Sequence, residues 1–325
     1  MSERLTMKEA ARIPDALAPG HRMCAGCAHP IVARMIMKAA AGRPTVVTNA
    51  TGCLEVATTI FPFTSWDVPW LHVAFENVAA NASGIEAAWK AQRRKGKGPL
   101  AKYERLNVIA YAGDGGTYDI GFQALSGALE RGHDFTYVLM DNEAYMNTGI
   151  QRSGGTPIGA STTTSPAGKV IPGKTEWKKP IMEIVVAHEI PYAATINPAW
   201  PQDVLDKCRK AFDTVGPKFL HAVIPCTRGW RYETSDTVSI ARLATQTCIF
   251  PLYEVERVKG RPVWRLSGPS ASIAKRPESK KPVSEYLEPQ GRFRHLFRPK
   301  RNEELLKFIQ EGVDLRWQML QERCA

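Results

Sequence analysis

Residues 113–116, Gly-Asp-Gly-Gly, stop a short apolar run, and Asn142 follows 28 positions after Asp114. A glycine turn lets backbone N–H groups approach a diphosphate, and a helix starting there adds its positive end. Asp114 offers Mg²⁺ a hard carboxylate, and Asn142 with a nearby main-chain carbonyl can complete an oxygen set. The competing reading makes the glycines a simple turn and Asn142 a strand-end residue, because short glycine motifs are common. A dinucleotide G-x-G-x-x-G is excluded, since Gly116, Thr117 and Tyr118 follow Gly115.

Seven cysteines form the second chemical set, at positions 24, 27, 53, 208, 226, 248 and 324. Cys24-Ala25-Gly26-Cys27 is a C-x₂-C knuckle, while Cys53 and Cys226 are each read as closing a strand. Four thiolates converging from loop ends suit a 4Fe–4S cluster or a zinc site, and spacing alone does not separate the two. Cys208 and Cys248 read as structural, and Cys324 as a frayed terminal thiol with no role.

These residues need elements to position them. Apolar runs at 45–53, 106–112, 134–142, 191–196 and 218–226 read as buried strands. Helical spacing at 119–131 puts Ile120, Leu125 and Leu129 on one face, and a further helix spans 201–212. Strands alternating with helices predict an α/β fold with a mostly parallel sheet and helices on both faces. Ligands in such sheets bind at the carboxyl ends of the strands, where Thr51–Cys53, Gly113–Gly116, Asp141–Gly149 and Cys226 all fall. Residues 150–180, rich in Gly, Ser, Thr and Pro, read as a long ordered loop over that site.

The chain has 325 residues, 44% hydrophobic and 23% charged. Those values exclude a disordered or fibrous protein. No apolar run approaches the roughly 18–20 residues that span a bilayer. The first twenty residues mix charge signs and lack an apolar stretch, so no secretory signal is expected and the location is cytoplasmic. The net charge is +11: residues 257–301 carry +10, residues 1–256 only +3, and residues 302–325 −2. Two units are therefore expected: a cofactor-binding domain over 1–256, and over 257–325 a basic C-terminal arm with a terminal helix at 302–323, contacting partner subunits. The basic strings RPKR and KRPESKKP carry no interleaved stacking aromatics, apart from the nearby GRFRHLF, which argues against nucleic acid and for acidic protein partners.

The strings GDGGTYDIGFQALSGALERGHDF and YVLMDNEAYMNTGIQ resemble the thiamine-diphosphate motif of the 2-oxoacid:ferredoxin oxidoreductases. The resemblance is to the separate β subunit of the pyruvate synthase type. It continues through TNATGCLEVATTIFP, WLHVAFENVAANASG, TTTSPAGKVIPGK, PCTRGW and QGRFRHLF, covering most of the chain. It implies a thiamine-diphosphate-binding fold in which Asp114, Asn142 and the carbonyl of Ala144 hold Mg²⁺ and the diphosphate. Gly52, Cys53, Gly113, Gly115, Gly116 and Thr148 are implied as further cofactor contacts, and Asn147 as a catalytic residue beside the thiazolium. Cys24, Cys27, Cys53 and Cys226 match four ligands of a proximal 4Fe–4S cluster, which reverses the preference for zinc that an isolated knuckle would carry.

The implied activity is oxidative decarboxylation of a 2-oxoacid to acyl-CoA and CO₂, with coenzyme A as co-substrate and electrons leaving through the cluster to ferredoxin. Pyruvate is the first choice of substrate; branched-chain 2-oxoacids, aryl glyoxylates and oxalate are used by relatives. The implied partners are an α subunit, a γ subunit and a ferredoxin-like δ subunit with further clusters. Glu55 and Glu76 match no pattern for activating the aminopyrimidine; the resemblance implies that this glutamate comes from the α subunit. Arg22, His29, Thr51 and Asn77 are candidate lining residues, and His29 and His72 read better as hydrogen-bonded packing histidines. Competing classes are a non-oxidative thiamine enzyme, which needs no cluster, and a metal-stapled interaction subunit without catalysis.

Overall fold

The computed structural model describes residues 4–168 and 170–325. Eight strands form one sheet: β1 Thr45–Ala50, β2 Trp70–Val73, β3 Asn107–Gly113, β4 Thr136–Asp141, β5 Tyr192–Ile196, β6 Lys218–Val223, β7 Tyr253–Val258 and β8 Arg261–Leu266. Their order is β2-β1-β3-β4-β6-β5-β7-β8. All pairings among β1–β6 are parallel, whereas β7 joins β5 and β8 joins β7 antiparallel. Strands β4, β5 and β6 are buried along their whole length, as their largely apolar sequences suit a sheet covered on both faces, with Asp141, Lys218 and His221 as buried polar exceptions.

One face is covered by helices His29–Ala40 and Pro201–Asp213, whose apolar stripes pack on β1, β3, β4 and β6 through Ile36, Val47, Ile109, Val204 and Phe212. The other carries helices Val78–Lys95, Phe122–Glu130 and Ile181–Val186, joined by the terminal helix Glu303–Cys324 through Trp317 and Leu320. A third apolar cluster, with Ile158, Val223, Trp230, Tyr286, Phe293 and Ile309, ties the loops beyond the sheet to the C-terminal segment. Cys208 lies in the first cluster and Cys248 in the second.

Several expectations are corrected. Gly115–Ile120 forms a π-helical turn before the α-helix begins at Phe122. The wider turn rotates Ile120 off the inner face, leaving it 58% exposed while Leu125 and Leu129 are buried. Strand β1 ends at Ala50 and Cys53 opens the helix Cys53–Thr58; β6 ends at Val223, before Cys226. Strand β7 spans the boundary expected after residue 256, and the residues beyond it contribute β8 and buried core side chains. Cys324 is helical and packs against the second cluster instead of fraying. No helix among the described residues is long and apolar enough to cross a membrane.

Candidate active site

The carboxyl ends of β1, β3 and β4 surround a cavity of about 310 Å³. Its lining includes Thr51, Gly52, Cys53, Gly113, Asp114, Gly115, Asn142, Ala144, Asn147 and Thr148, together with His29. The parallel register brings them together: Gly113 of β3 lies beside Met140 of β4, so Asp114 and Asn142 leave neighbouring strand ends. Gly116 is buried outside the lining, with the Phe75 carbonyl against it. Arg22, Glu55, Glu76, His72 and Asn77 also lie outside it. Glu55 accepts a hydrogen bond from Thr59 Oγ1 at 2.9 Å and sits 3.6 Å from His72, whose Nε2 is 2.7 Å from Thr51 Oγ1.

Asp114 is 1% exposed. Burial and the nearby Asp141 push its carboxyl pKa well up, against a hydrogen bond donated by Ser153 Oγ. A buried acid so placed is stabilised as its anion by a cation. The side-chain amide of Asn142 faces Asp114 Oδ1 and the Ala144 carbonyl, each at 2.9 Å. With its nitrogen there, the amide donates to both. With its oxygen there, the spacing is that between neighbouring ligands of an octahedral Mg²⁺ with bonds of about 2.0–2.1 Å. The donor set therefore fits a hard divalent ion, with two protein carbonyls and one carboxylate.

Behind this turn, Asp141 is fully buried. It accepts hydrogen bonds from Tyr118 OH at 3.0 Å and the Glu143 N–H at 3.1 Å, and pairs with His221 at 2.7 Å and Lys178 at 2.6 Å. Burial opposes its charge, but Lys178 and His221 outweigh that and hold Asp141 well below the usual carboxylate range. Burial likewise disfavours the Lys178 cation, yet Asp141 and Glu143 raise its pKa to about 12.

Of the four predicted thiols Cys53 lines the cavity, and Cys24, Cys27 and Cys226 lie within electrostatic reach of it or of one another. The Cys27 N–H donates to the Cys24 carbonyl at 3.1 Å, closing the knuckle, and Gly26 takes φ +71°. A Cβ on Gly26 would strike the Thr234 carbonyl at 2.4 Å, so only glycine fits there. Thr227 and Thr237 donate to the carbonyls of Ala25 and Gly26, tying the knuckle to the segment after Cys226. Cys226 Sγ accepts from the Gly229 N–H at 3.4 Å, and Cys27 Sγ lies 3.3 Å from His29 Nδ1. Burial pushes the Cys27 thiol up to about 12, and proximity to Cys226, Cys53 and Cys24 adds to the effect. Cys53 also rises to about 12 through burial and its sulfur neighbours, opposed by the Asn147 side chain. Clustered thiols become thiolates when a metal centre neutralises them. Among the described residues, no three His, Cys, Asp or Glu side chains converge on a single-ion position.

Residues 50–222 match the family described as "Thiamine pyrophosphate enzyme, C-terminal TPP binding domain". The chain is 54% identical over 303 residues to pyruvate synthase subunit PorB of Methanocaldococcus jannaschii, covering 93% of this chain and 95% of that one. The chain belongs to the β subunits of the 2-oxoacid:ferredoxin oxidoreductases. This β subunit is also 43% identical over 303 residues to ketoisovalerate oxidoreductase subunit VorB of Pyrococcus abyssi, covering 93% and 91% of the two chains. In fold it resembles a 2-oxoglutarate:ferredoxin oxidoreductase from Magnetococcus marinus, solved with 2-oxoglutarate, coenzyme A and succinyl-CoA bound. That likeness has a TM-score of 0.50 at 19% identity and covers 89% of this chain and 94% of the other.

Motif reading reached Asp114, Asn142 and the cysteines, but missed Asn49, Leu54, Phe75, Tyr111, Met140, Tyr145 and Met146 of the lining. Tyr145 donates to Asp119 at 3.2 Å and to the Gly115 carbonyl at 3.3 Å, bracing the glycine turn. Its place inside the YMNTG string was the available signal.

Proposed function

We propose that this β subunit binds the diphosphate end of thiamine diphosphate through Mg²⁺ and holds a 4Fe–4S cluster beside it, in an enzyme that oxidises pyruvate. The balanced reaction takes pyruvate, coenzyme A and two oxidised ferredoxins to acetyl-CoA, CO₂, two reduced ferredoxins and a proton. The observation that carries this reading is Cys53. It lines the cavity, it feels the charges of Cys226 and Cys24, and it acts in turn on Cys27, so one residue would serve both sites. A non-oxidative thiamine enzyme has no use for that adjacency.

Asp114, Asn142 and the Ala144 carbonyl would hold Mg²⁺, with Gly113 and Gly115 giving the diphosphate access to backbone N–H groups. Thiamine diphosphate, when bound, supplies the centre that accepts the carbanion charge left as a 2-oxoacid loses CO₂. Leu54, Phe75, Met140 and Met146 exclude water from the cavity, which strengthens the electrostatics inside. Asn147, with Cys53 next to it, would orient the substrate. Cys24, Cys27, Cys53 and Cys226 would ligate the cluster, and the Gly229 N–H would tune the Cys226 sulfur. Glu55 is engaged outside the cavity, which leaves activation of the aminopyrimidine to a glutamate of the α subunit. Exposed Arg294, Arg298, Lys300 and Arg301 follow a segment packed on the Cys226 loop and would face an acidic partner, the ferredoxin-like δ subunit or ferredoxin itself.

The test is the complex assembled anaerobically with α, γ and δ subunits and offered pyruvate, 2-oxoisovalerate, phenylglyoxylate and oxalate, with viologen reduction as readout. CoA-dependent reduction fastest with pyruvate is expected, and about four irons bound by this chain. Stoichiometric zinc without iron or labile sulfide refutes the cluster, and a faster rate with another 2-oxoacid refutes the substrate.

A further inference from the structure

The turn that presents Asn142 and Ala144 is clamped from two segments distant in sequence. Trp230, fully buried, donates its indole N–H to the Asn142 carbonyl at 2.8 Å. The same tryptophan belongs to the π-helical turn Thr227–Arg231, capped by Cys226, and its own N–H donates to the Cys226 carbonyl at 2.9 Å. One indole thus spans from the cysteine loop to the metal turn.

Arg292 holds that indole from the other side. Its guanidinium lies 4.0 Å from the Trp230 ring centroid, a desolvated cation–π contact at 2% exposure. It also pairs with Glu143 at 2.6 Å, while its Nε donates to Gln290 at 2.9 Å. Glu143 is the residue between Asn142 and Ala144, and it takes φ +68°, a left-handed conformation that costs a non-glycine residue energy. Arg292 and Lys178, 3.0 Å from the other carboxylate oxygen, hold it there. Releasing Glu143 would let the turn relax, moving the Asn142 side chain and the Ala144 carbonyl apart.

We propose that Trp230 and Arg292 are positioning residues, which fix the Asn142–Ala144 turn in the shape that binds Mg²⁺ and link it to the Cys226 loop. Neither touches the cavity, so they act through Asn142 and Glu143. The inference rests on the metal and diphosphate reading of Asp114 and Asn142.

Calorimetric titration of the assembled complex with thiamine diphosphate and Mg²⁺ tests it, alongside iron content and the EPR spectrum of Mn²⁺ substituted for Mg²⁺. Trp230→Phe keeps an aromatic ring but removes the N–H, and should weaken cofactor binding by about two- to tenfold, the range of one neutral hydrogen bond. Arg292→Met should weaken it further and broaden the Mn²⁺ signal, while Arg292→Lys, retaining the pair with Glu143, restores most of the affinity. Iron content should stay at the wild-type value in all three. Wild-type affinity in both Trp230→Phe and Arg292→Met overturns the proposal, as does equal weakness in Arg292→Met and Arg292→Lys. Should Trp230→Phe fail to assemble, the two Arg292 variants decide alone. Asp114→Ala separates the two levels: retained cofactor binding there refutes the site itself. Binding abolished in Asp114→Ala but unchanged in the other variants refutes the clamp alone.

Discussion

Replacing Gly121 by alanine should destabilise the protein by about 2–4 kcal/mol, whereas the same change at Gly127 should be neutral or stabilising. Gly121 closes the π-helical turn after Asp114, donating its N–H to the Gly116 carbonyl at 2.7 Å. A Cβ there would fall 2.4 Å from that carbonyl oxygen and 2.8 Å from the oxygen of Glu76. Both obstacles are backbone, so relief requires opening the turn or displacing the segment before helix Val78–Lys95. Overpacking costs about 1–3 kcal/mol and the lost hydrogen bond about 1 kcal/mol more. Gly127 lies inside the helix Phe122–Glu130, and its Cβ would meet only the Arg131 guanidinium, at 3.0 Å. That side chain can swing away, and alanine gains about 0.5–1 kcal/mol over glycine in a helix interior. Two identical chemical changes six residues apart should therefore move the urea midpoint, followed by far-UV circular dichroism, in opposite directions or by very different amounts. Equal midpoints for the two variants would falsify the geometry given to the Asp114 turn.

Cys226→Ser should drop the iron content of the anaerobic protein and bleach its visible absorption; unchanged iron means the fourth ligand is elsewhere. Glu86→Gln should lose the acid dependence that this carboxylate supplies. Burial of Glu86 is outweighed by Lys90, by His133 at 3.0 Å and by the Asp134 N–H at 3.3 Å, which together lower its pKa from 4.5. A depressed carboxyl pKa contributes stability above 4.5 that disappears as pH falls through the folded value. The gap in urea stability between wild type and Glu86→Gln should thus be constant near neutrality and close below pH 4.5; a gap independent of pH down to 3 contradicts the ion pairing. Deleting residues 302–325 removes buried Leu306, Ile309, Val313, Trp317 and Leu320. At about 1.5–3 kcal/mol each that loss rivals a whole domain's stability, so the truncated chain should aggregate, and a soluble, cooperatively unfolding product refutes the packing.

The legible parts of this molecule are those whose cause is local. Strands β3–β6 announced themselves because a strand buried on both faces is mostly apolar, even where Asp141, Lys218 and His221 interrupt it. Asp114 and Asn142 could be paired because each sits at the end of such a strand. Strands β7 and β8 were missed for the opposite reason: YEVERV and RPVWRL mix apolar with charged residues, and β8 forms the sheet edge. The π-helical turn was invisible because one extra residue per turn leaves no mark in an otherwise helical pattern. Trp230 and Arg292 lay inside strings that carry the family resemblance, PCTRGW and QGRFRHLF, but their role exists only between segments 62 residues apart in sequence.

The positive charge of residues 257–301 changes meaning for the same reason. Read in sequence, it looked like an arm waiting for a partner. In the folded chain Arg292 is 2% exposed and neutralises Glu143, and Lys280, Lys281, Arg257 and Arg265 pair with Asp314, Glu285, Glu189 and Glu256. A cation buried against Glu143 and Trp230 cannot also steer an external partner. Any steering is therefore left to exposed cations such as Arg294, Arg298 and Lys300, whose field is screened within about 8–10 Å at physiological salt. At that range they act on whatever docks beside the Cys226 loop. The segment thus divides in two: its buried arginine holds Glu143 against the Trp230 indole, and its exposed cations are left to the solvent beside the Cys226 loop.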